Sequence, residues 1–406
     1  MNSKKYPIVV IGGSIASISF IRTLRETGNN DSVLLIYGED RLPYKRTKIN
    51  KNMVRGFDKD DFIIADKAWY QNNNVELLNI WATSIDAQNK QIFFEETEPI
   101  EYNKLLLATG AGSVIPRIAG IEPAEMHSVQ NAADVERLLE VASNKQRFLI
   151  VGGGVEGIET ADQLIRKGKE VILASRMKYP LQKLFPHEFI QPLEEAMLKR
   201  GVQLYSGVSV NSVERVGDHF ATKLRGDTIE FDEIVSSTGT LPNIQLAKSA
   251  GLNTEKGIVV DEWMHTSNED ILAAGDVAQH HNGIITGLWH AAEHQGKLAA
   301  LNLFDKKEKH TLPPYRLKTE VFNLFLFSAE YEKLVPNEYE IVKEDEKGVK
   351  RWLYFKDDKL KAALMLNDGL RAKQYQQALM EEWSKKRFKE ELPLQAPLSF
   401  NFSPSF

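Results

Sequence analysis

The stretch Arg147–Arg176, RFLIVGGGVEGIETADQLIRKGKEVILASR, restricts the fold of this chain more than any other segment. Phe148–Val151 is an unbroken apolar run, the pattern of a parallel strand buried on both faces. It enters Gly152-Gly153-Gly154-Val155-Glu156-Gly157, a complete G-x-G-x-x-G. Val155, Ile158, Ala161, Leu164 and Ile165 then recur at helical spacing, Gly168 ends the helix, and Val171–Ala174 supplies a second buried strand. Strand, glycine turn, helix and strand within about 30 residues make a βαβ unit. Gly152 makes the turn, Gly154 lets backbone N–H groups reach a pyrophosphate, and Gly157 lets the helix pack on the strand. The helix N-terminus, at Val155 and Glu156, faces the anion with its partial positive charge. A purely structural glycine turn is the alternative, and the flanking strands favour dinucleotide binding.

The same design opens the chain. Pro7–Ile11 reads as a strand, and Gly12-Gly13-Ser14-Ile15-Ala16-Ser17 as the turn. Ile15, Ile18, Ile21 and Leu24 lie on one helical face, and Val33–Tyr37 is the next strand. Glu39, just beyond it, is placed to accept both hydroxyls of a ribose. Ser14 and Ser17 replace the second and third glycines, so backbone approach and helix packing should be looser here. A plain βαβ unit is the competing reading.

The 406 residues are enough for two or three domains with sizeable cores. A net charge of −5 carries no global nucleic-acid or membrane signal, and the longest apolar runs are strand-sized. The start, MNSKKYPIVVIGGS, enters a strand at once, so the expected location is cytoplasmic. Cysteine is absent, which excludes from this chain a disulfide framework, a thiolate metal site, a protein-ligated iron–sulfur cluster and a redox-active cysteine pair. Redox chemistry here must run on a bound organic cofactor. No three of the nine histidines have metal spacing, and His281, His290 and His294 read as surface or helix residues, so no metal is expected.

Two nucleotide units without cysteine suggest one tightly held flavin dinucleotide and one exchangeable nicotinamide. Glu39–Lys51, EDRLPYKRTKINK, resembles a signature of the pyridine-nucleotide-dependent flavoprotein reductases that serve rubredoxins and ferredoxins: acidic-x-x-L-P-Y-x-R-P-x-L-S-K. Thr47 and Asn50 depart from it; Glu39, Pro43, Tyr44, Arg46 and Lys51 fall in register. Physically this is a basic loop leaving the first nucleotide site, suited to a diphosphate and a reducible ring, with a solvated basic loop as the alternative. Ala82–Asp86 resembles the segment whose backbone meets the adenine. Ala108-Thr109-Gly110 resembles the A-T-G motif that ends a strand beside the flavin. Thr238-Gly239-Thr240-Leu241-Pro242-Asn243 resembles the G-R-x-P-N return to the flavin domain, with Thr240 in place of arginine. Ile271–Asp276 matches the second flavin signature, whose Gly275-Asp276 meets the ribityl chain or diphosphate. Trp289–Gly296 resembles the W-x-x-A-x-x-Q-G start of a helix aimed at the flavin. Many relatives carry a flavin-touching arginine where Gln130 stands.

The resemblance also implies catalytic roles. Glu159, on the first turn after Gly157, would approach the flavin and pair with Lys51, which could stabilise negative charge on the reduced ring. A simple acidic residue favoured by the helix dipole is the alternative for Glu159. At the end of the second strand Ser175 stands where NAD-using relatives carry glutamate, and Arg176 and Lys178 follow. A basic residue there suits a 2′-phosphate, so NADPH is favoured over NADH unless Arg176 merely faces solvent.

The expected fold is α/β: two Rossmann-like dinucleotide-binding domains plus a C-terminal α+β interface domain. The FAD domain would be discontinuous, at 1–114 and 240–312, with an NAD(P)H domain at 115–239 and the interface domain at 313–406. Strand candidates in the last are Arg316–Ser328, Tyr339–Lys343, Lys350–Phe355 and Leu360–Leu366, with a hairpin at Asp357-Asp358, a helix at Leu370–Lys386 and a peripheral tail. The implied function is electron transfer from NAD(P)H through FAD to a small iron protein, rubredoxin or ferredoxin. Alternatives are an NAD(P)H oxidase or diaphorase acting on oxygen or quinones, and a redox-sensing flavoprotein resembling apoptosis-inducing factor. No nucleic-acid or membrane partner is expected, and the sequence leaves monomer and homodimer open.

Overall fold

In the computed structural model, which describes residues 4–54, 56–57, 62–311, 314, 316–335, 337–346 and 348–394, the strand Lys4–Ile11 is central to the first sheet. Its residues Ile8–Ile11 are buried, as a strand covered on both faces must be. It pairs in parallel with Val33–Tyr37 on one side and Ile100–Leu107 on the other, and Val75–Asn79 extends the sheet beyond Val33–Tyr37. Ile100–Leu107 divides its outer edge. Ile100 and Glu101 pair antiparallel with the strand Gln91–Phe94, whereas Leu105–Leu107 pair in parallel with Ile271–Ala273. The helices Ile15–Glu26 and Trp289–Leu301 pack together at Gly296, where an added Cβ would lie 2.1 Å from the Ala16 carbonyl oxygen.

By contact, residues within 1–114, 129–137 and 239–311 form one unit, and those within 115–128, 138–238 and 312–406 form another. The segment expected as a separate C-terminal domain thus groups with the second nucleotide fold, and Val129–Arg137 groups with the first.

The second unit contains a four-stranded parallel sheet in the order Gln203–Ser206, Glu170–Ser175, Arg147–Val151, Glu233–Ser236. Its C-terminal part is a five-stranded antiparallel sheet. The expected run Arg316–Ser328 is two strands, Arg316–Val321 and Leu324–Ala329, because Phe322 and Asn323 both adopt positive φ (50° and 63°), the conformation of a tight hairpin turn. Asp357 and Asp358 turn in the same way (51° and 56°). The expected helix Leu370–Lys386 is also broken, into Ala372–Met380 and Lys385–Glu391. Glu382 reverses the chain at φ 47°, Trp383 buries its indole in the core, and the Ser384 hydroxyl starts the next helix by accepting from the Arg387 N–H. The tail lies outside the described residues from 395 onward.

Candidate functional site

Gly12 ends the central strand of the first unit at φ +122°, and its N–H donates to the Ile36 carbonyl. A Cβ there would lie 2.0 Å from the Ala108 carbonyl oxygen, so no other residue fits without moving the sheet. Ser14 caps the helix Ile15–Glu26 with extended backbone but makes no side-chain capping bond. Ser17 is fully buried, and its hydroxyl donates back to the Gly12 carbonyl. The expected looseness at this position therefore has a concrete form: the hydroxymethyl group stands between turn and helix and is tied to both.

The motifs expected to hold a flavin gather around this turn. Ala108-Thr109-Gly110 follows the neighbouring strand, and Asn243 fastens it, its amide donating to the Thr109 carbonyl at 2.8 Å. Gly275 (φ +83°) ends the adjoining Ile271–Ala273 segment, and a Cβ on it would sit 3.4 Å from Ala16 Cβ. The carboxyl ends of adjacent parallel strands thus converge on one edge, where ligands bind in open α/β sheets.

Glu39 lies beyond the next strand. One carboxylate oxygen pairs with Arg46, and the other accepts from the Tyr44 hydroxyl at 2.5 Å. Tyr44 is buried, which raises its phenol pKa, and its oxygen accepts from the Ala132 N–H at 3.1 Å. An ionised carboxylate has about four acceptor positions, so Glu39 retains capacity for ribose hydroxyls. Burial opposes the charge on Arg46, but Tyr44, Glu39 and Asp276 outweigh it and hold its pKa above the ordinary value. Burial raises the Asp276 carboxyl pKa, with Arg46 pulling the other way. Gln130 turns its amide to the backbone, donating to the Ala111 carbonyl at 2.9 Å and accepting from the Ser113 hydroxyl at 3.2 Å. Arg46 reaches the Gln130 carbonyl at 3.1 Å. Ala82 begins the strand Ala82–Asp86, Trp289 begins its helix, Gly239 precedes the short strand Thr240–Pro242, and Lys51 is exposed on a single turn of 3-10 helix.

Supporting residues behind the edge escaped the sequence reading. The fully buried Gln295 accepts from the Gly275 N–H at 2.7 Å and contacts His280 Nε2 at 3.0 Å. As the amide nitrogen must donate, His280 Nε2 accepts and that ring is neutral. His310 stacks on His280 with centroids 4.1 Å apart, and His294 lies 5.5 Å from His310. Burial, and then the neighbouring imidazoles, push His280 down to about 4 and His310 to about 3. His290 and His294 lie on the helix Trp289–Leu301 and His281 is exposed, as expected of surface or helix residues; His294 is half-buried and close to another imidazole. Among the described residues no group of side chains is arranged to hold a metal ion. The Gln-Gly pair could have been interpreted from its motif: glutamine holds the Gly275 turn, and glycine admits the helix crossing.

The second unit repeats the turn with full glycine content. Gly152 has φ +131°, and its Cβ would lie 2.0 Å from the Ser237 carbonyl oxygen. A Cβ on Gly157 would lie 2.1 Å from the Gly152 carbonyl oxygen. At Gly154 it would meet nothing within 4 Å, so that position faces open space at the start of the helix Val155–Arg166, whose first turn holds Val155 and Glu156. Ser175 is buried beside the turn: its oxygen lies 2.9 Å from the Cβ position of Gly153 and accepts from the Met177 N–H. Arg176 is exposed and has no ion pair among the described residues. An acidic-first helix face then meets the C-terminal sheet. Glu159 accepts from the Thr319 hydroxyl at 2.6 Å, Asp162 from the Phe322 N–H at 3.0 Å, and Arg166 donates to Asn323 at 3.2 Å. The structure thus gives Glu159 a partner in Thr319 that the sequence did not suggest; Lys51 belongs to the other unit.

Comparison with known proteins accords with this geometry. The chain is 27% identical over 368 residues to an NADH-rubredoxin oxidoreductase of Clostridium acetobutylicum, covering 90% of this chain and 92% of that one. It is 30% identical over 279 residues to a rubredoxin-NAD(+) reductase of Alcanivorax borkumensis, covering 68% and 72%. The crystal structure of NADH:rubredoxin oxidoreductase from Clostridium acetobutylicum superposes with a TM-score of 0.77 at 25% identity, covering 94% and 96%. With residues 6–296 matching its pattern, the chain belongs to the pyridine nucleotide-disulphide oxidoreductase family.

Proposed function

We propose that this protein is an FAD-dependent NAD(P)H oxidoreductase that passes electrons to a small iron redox protein of the rubredoxin or ferredoxin kind. The observation that carries the reading is the pair of glycine turns, one in each unit, each at the carboxyl end of neighbouring parallel strands, in a chain without cysteine. The relatives named for rubredoxin support the acceptor class. Bound FAD would supply the redox chemistry that links two-electron exchange with a nicotinamide to one-electron exchange with an iron protein.

The residues of this chain bind, orient and balance charge. Gly12, Gly13 and the helix N-terminus at Ile15 would hold the diphosphate, Glu39 the ribose and Asp276 the ribityl region. Arg46 balances the two carboxylates and fixes the loop that carries Lys51, whose ammonium would offset negative charge at the ring. In the second unit, Gly152 to Gly157 would hold the coenzyme diphosphate. Arg176, exposed beyond Ser175, supports NADPH as the preferred coenzyme, although the relatives above are named for NADH or NAD(+).

The test is an anaerobic titration of the purified protein with NADPH and NADH, followed by addition of rubredoxin. The protein should be yellow, release FAD on denaturation, bleach with the coenzyme and reduce rubredoxin. Colourless protein that cannot be reconstituted with FAD would sink the proposal.

A further inference from the structure

Trp81 lies between the strands Val75–Asn79 and Ala82–Asp86 and is 69% exposed, more than any other large apolar side chain among the described residues. Its ring is nonetheless fixed. A Cβ on Gly38 would lie 2.1 Å from Trp81 Cδ2 and Cε2, so the indole rests against bare backbone. Gly38 does not have positive φ; glycine is required here by the ring and not by the turn. Asn79 joins the two segments. Its amide donates to the Tyr37 carbonyl at 3.0 Å and the Glu39 carbonyl at 2.7 Å, the two that flank Gly38.

A scattered exposed apolar residue needs no explanation. A tryptophan held against a tailored glycine while most of its surface stays in water is a different case. Its location narrows the ligand. Gly38 and Glu39 follow the strand Val33–Tyr37 at the edge where a dinucleotide would lie, with the ribose at the acidic residue and the base beyond it. An indole offers a flat, polarisable surface on which a purine stacks without needing specific hydrogen bonds.

Resting on the reading of the first unit as an FAD site, we infer that Trp81 is the stacking platform for the adenine ring of that cofactor. The arrangement separates affinity from chemistry: the platform grips the end of the cofactor remote from the reacting ring.

The test uses the full chain stripped of flavin and titrated with FAD or with FMN, which lacks the adenosine half. Trp81→Ala should raise the FAD dissociation constant about 5- to 150-fold, the equivalent of about 1–3 kcal/mol, and leave FMN unchanged. Trp81→Phe should lose less. Gly38→Ala, which displaces the indole without removing it, should weaken FAD in the same way. The tryptophan emission that wild type has and Trp81→Phe lacks should be quenched by ADP, and this readout decides the matter even if Trp81→Ala fails to fold. Equal FAD affinity in wild type and Trp81→Ala, an equal loss for FMN, or emission indifferent to ADP would overturn the platform. Wild-type protein that binds no flavin would instead overturn the parent reading.

Discussion

The two glycine turns share one architecture and differ in what enforces it. In both, the first glycine has a left-handed φ and abuts a carbonyl of the adjacent strand, Ala108 in one and Ser237 in the other, at the same 2.0 Å from a hypothetical Cβ. That requirement comes from the sheet, and both copies obey it. At the second position the glycine Gly154 looks onto open space, so the serine of the other copy, Ser14, strains nothing. At the third, Gly157 has no room, whereas Ser17 occupies the matching place and bonds to the turn. A fingerprint letter can therefore be backbone-enforced, ligand-enforced or replaceable by a hydrogen bond, and only geometry separates these cases.

The strongest way to break the comparison is to add the forbidden Cβ to each copy. Gly12→Ala and Gly152→Ala combine a disallowed φ with a backbone collision and should each cost more than about 4 kcal/mol locally. Gly12→Ala should yield colourless protein. Gly152→Ala should retain flavin, read by visible absorbance, and lose coenzyme-dependent bleaching.

The next effect should be confined to the second copy. Arg176→Ala removes a charge-assisted contact to a 2′-phosphate worth about 1.5–3 kcal/mol, so KM for NADPH should rise roughly ten- to a hundredfold. NADH should change little, as measured by kcat/KM with ferricyanide. A wild-type preference for NADH, or an equal loss for both coenzymes, would remove the NADPH assignment and leave the flavoprotein reading intact.

Exchanging the third-position residues sharpens the comparison further. Gly157→Ser should destabilise by about 1–3 kcal/mol through overpacking, because its Cβ meets the Gly152 carbonyl. Ser17→Gly should cost about 1 kcal/mol, the sum of a lost hydrogen bond and a poorer helix former. Denaturant melts of both variants measure the asymmetry. Equal costs would mean that the two turns are interchangeable.

Near neutral pH the smallest effect is a pH dependence carried by the first unit, which develops only below about pH 6.5. His280 and His310 are held far below their ordinary value of 6.5, so the unfolded chain binds protons that the folded rings refuse. Stability is therefore full above about pH 6.5 and falls as the pH drops towards about 4, by up to about 1.4 kcal/mol per pH unit for each histidine. His310→Phe should flatten that slope in melts at stepped pH; an unchanged slope would assign the acid sensitivity elsewhere.

The βαβ units were legible because their signals are local: apolar runs such as Phe148–Val151 and glycines spaced for one turn. The flavin loop was legible as a pattern, yet the Tyr44–Glu39–Arg46 cluster within it depends on Tyr44 being buried against Ala132, far along the chain. Glu159 shows the limit most plainly. Its helical position could be read, but its partner Thr319 arrives from a hairpin 160 residues later, and only folding reveals that pairing. The helix break at Glu382 was hidden for another reason: helical propensity favours continuing, and burial of Trp383 overrides it.

The strand Ile100–Leu107 cannot complete its hydrogen bonding when it leaves the ribosome. Its first half finds Gln91–Phe94 at once, but the half bearing Leu105–Leu107 waits for Ile271–Ala273, which is translated only after the whole of the intervening second nucleotide fold. Until then an apolar parallel edge stays open, the kind of surface that makes nascent chains prone to mispairing and dependent on chaperones. The strands Arg147–Val151 and Glu170–Ser175 can pair early, whereas the sheet of the first unit is completed only when Ile271–Ala273 has been made. Production of this protein should therefore respond more to slower translation and lower temperature than to any improvement of the second fold.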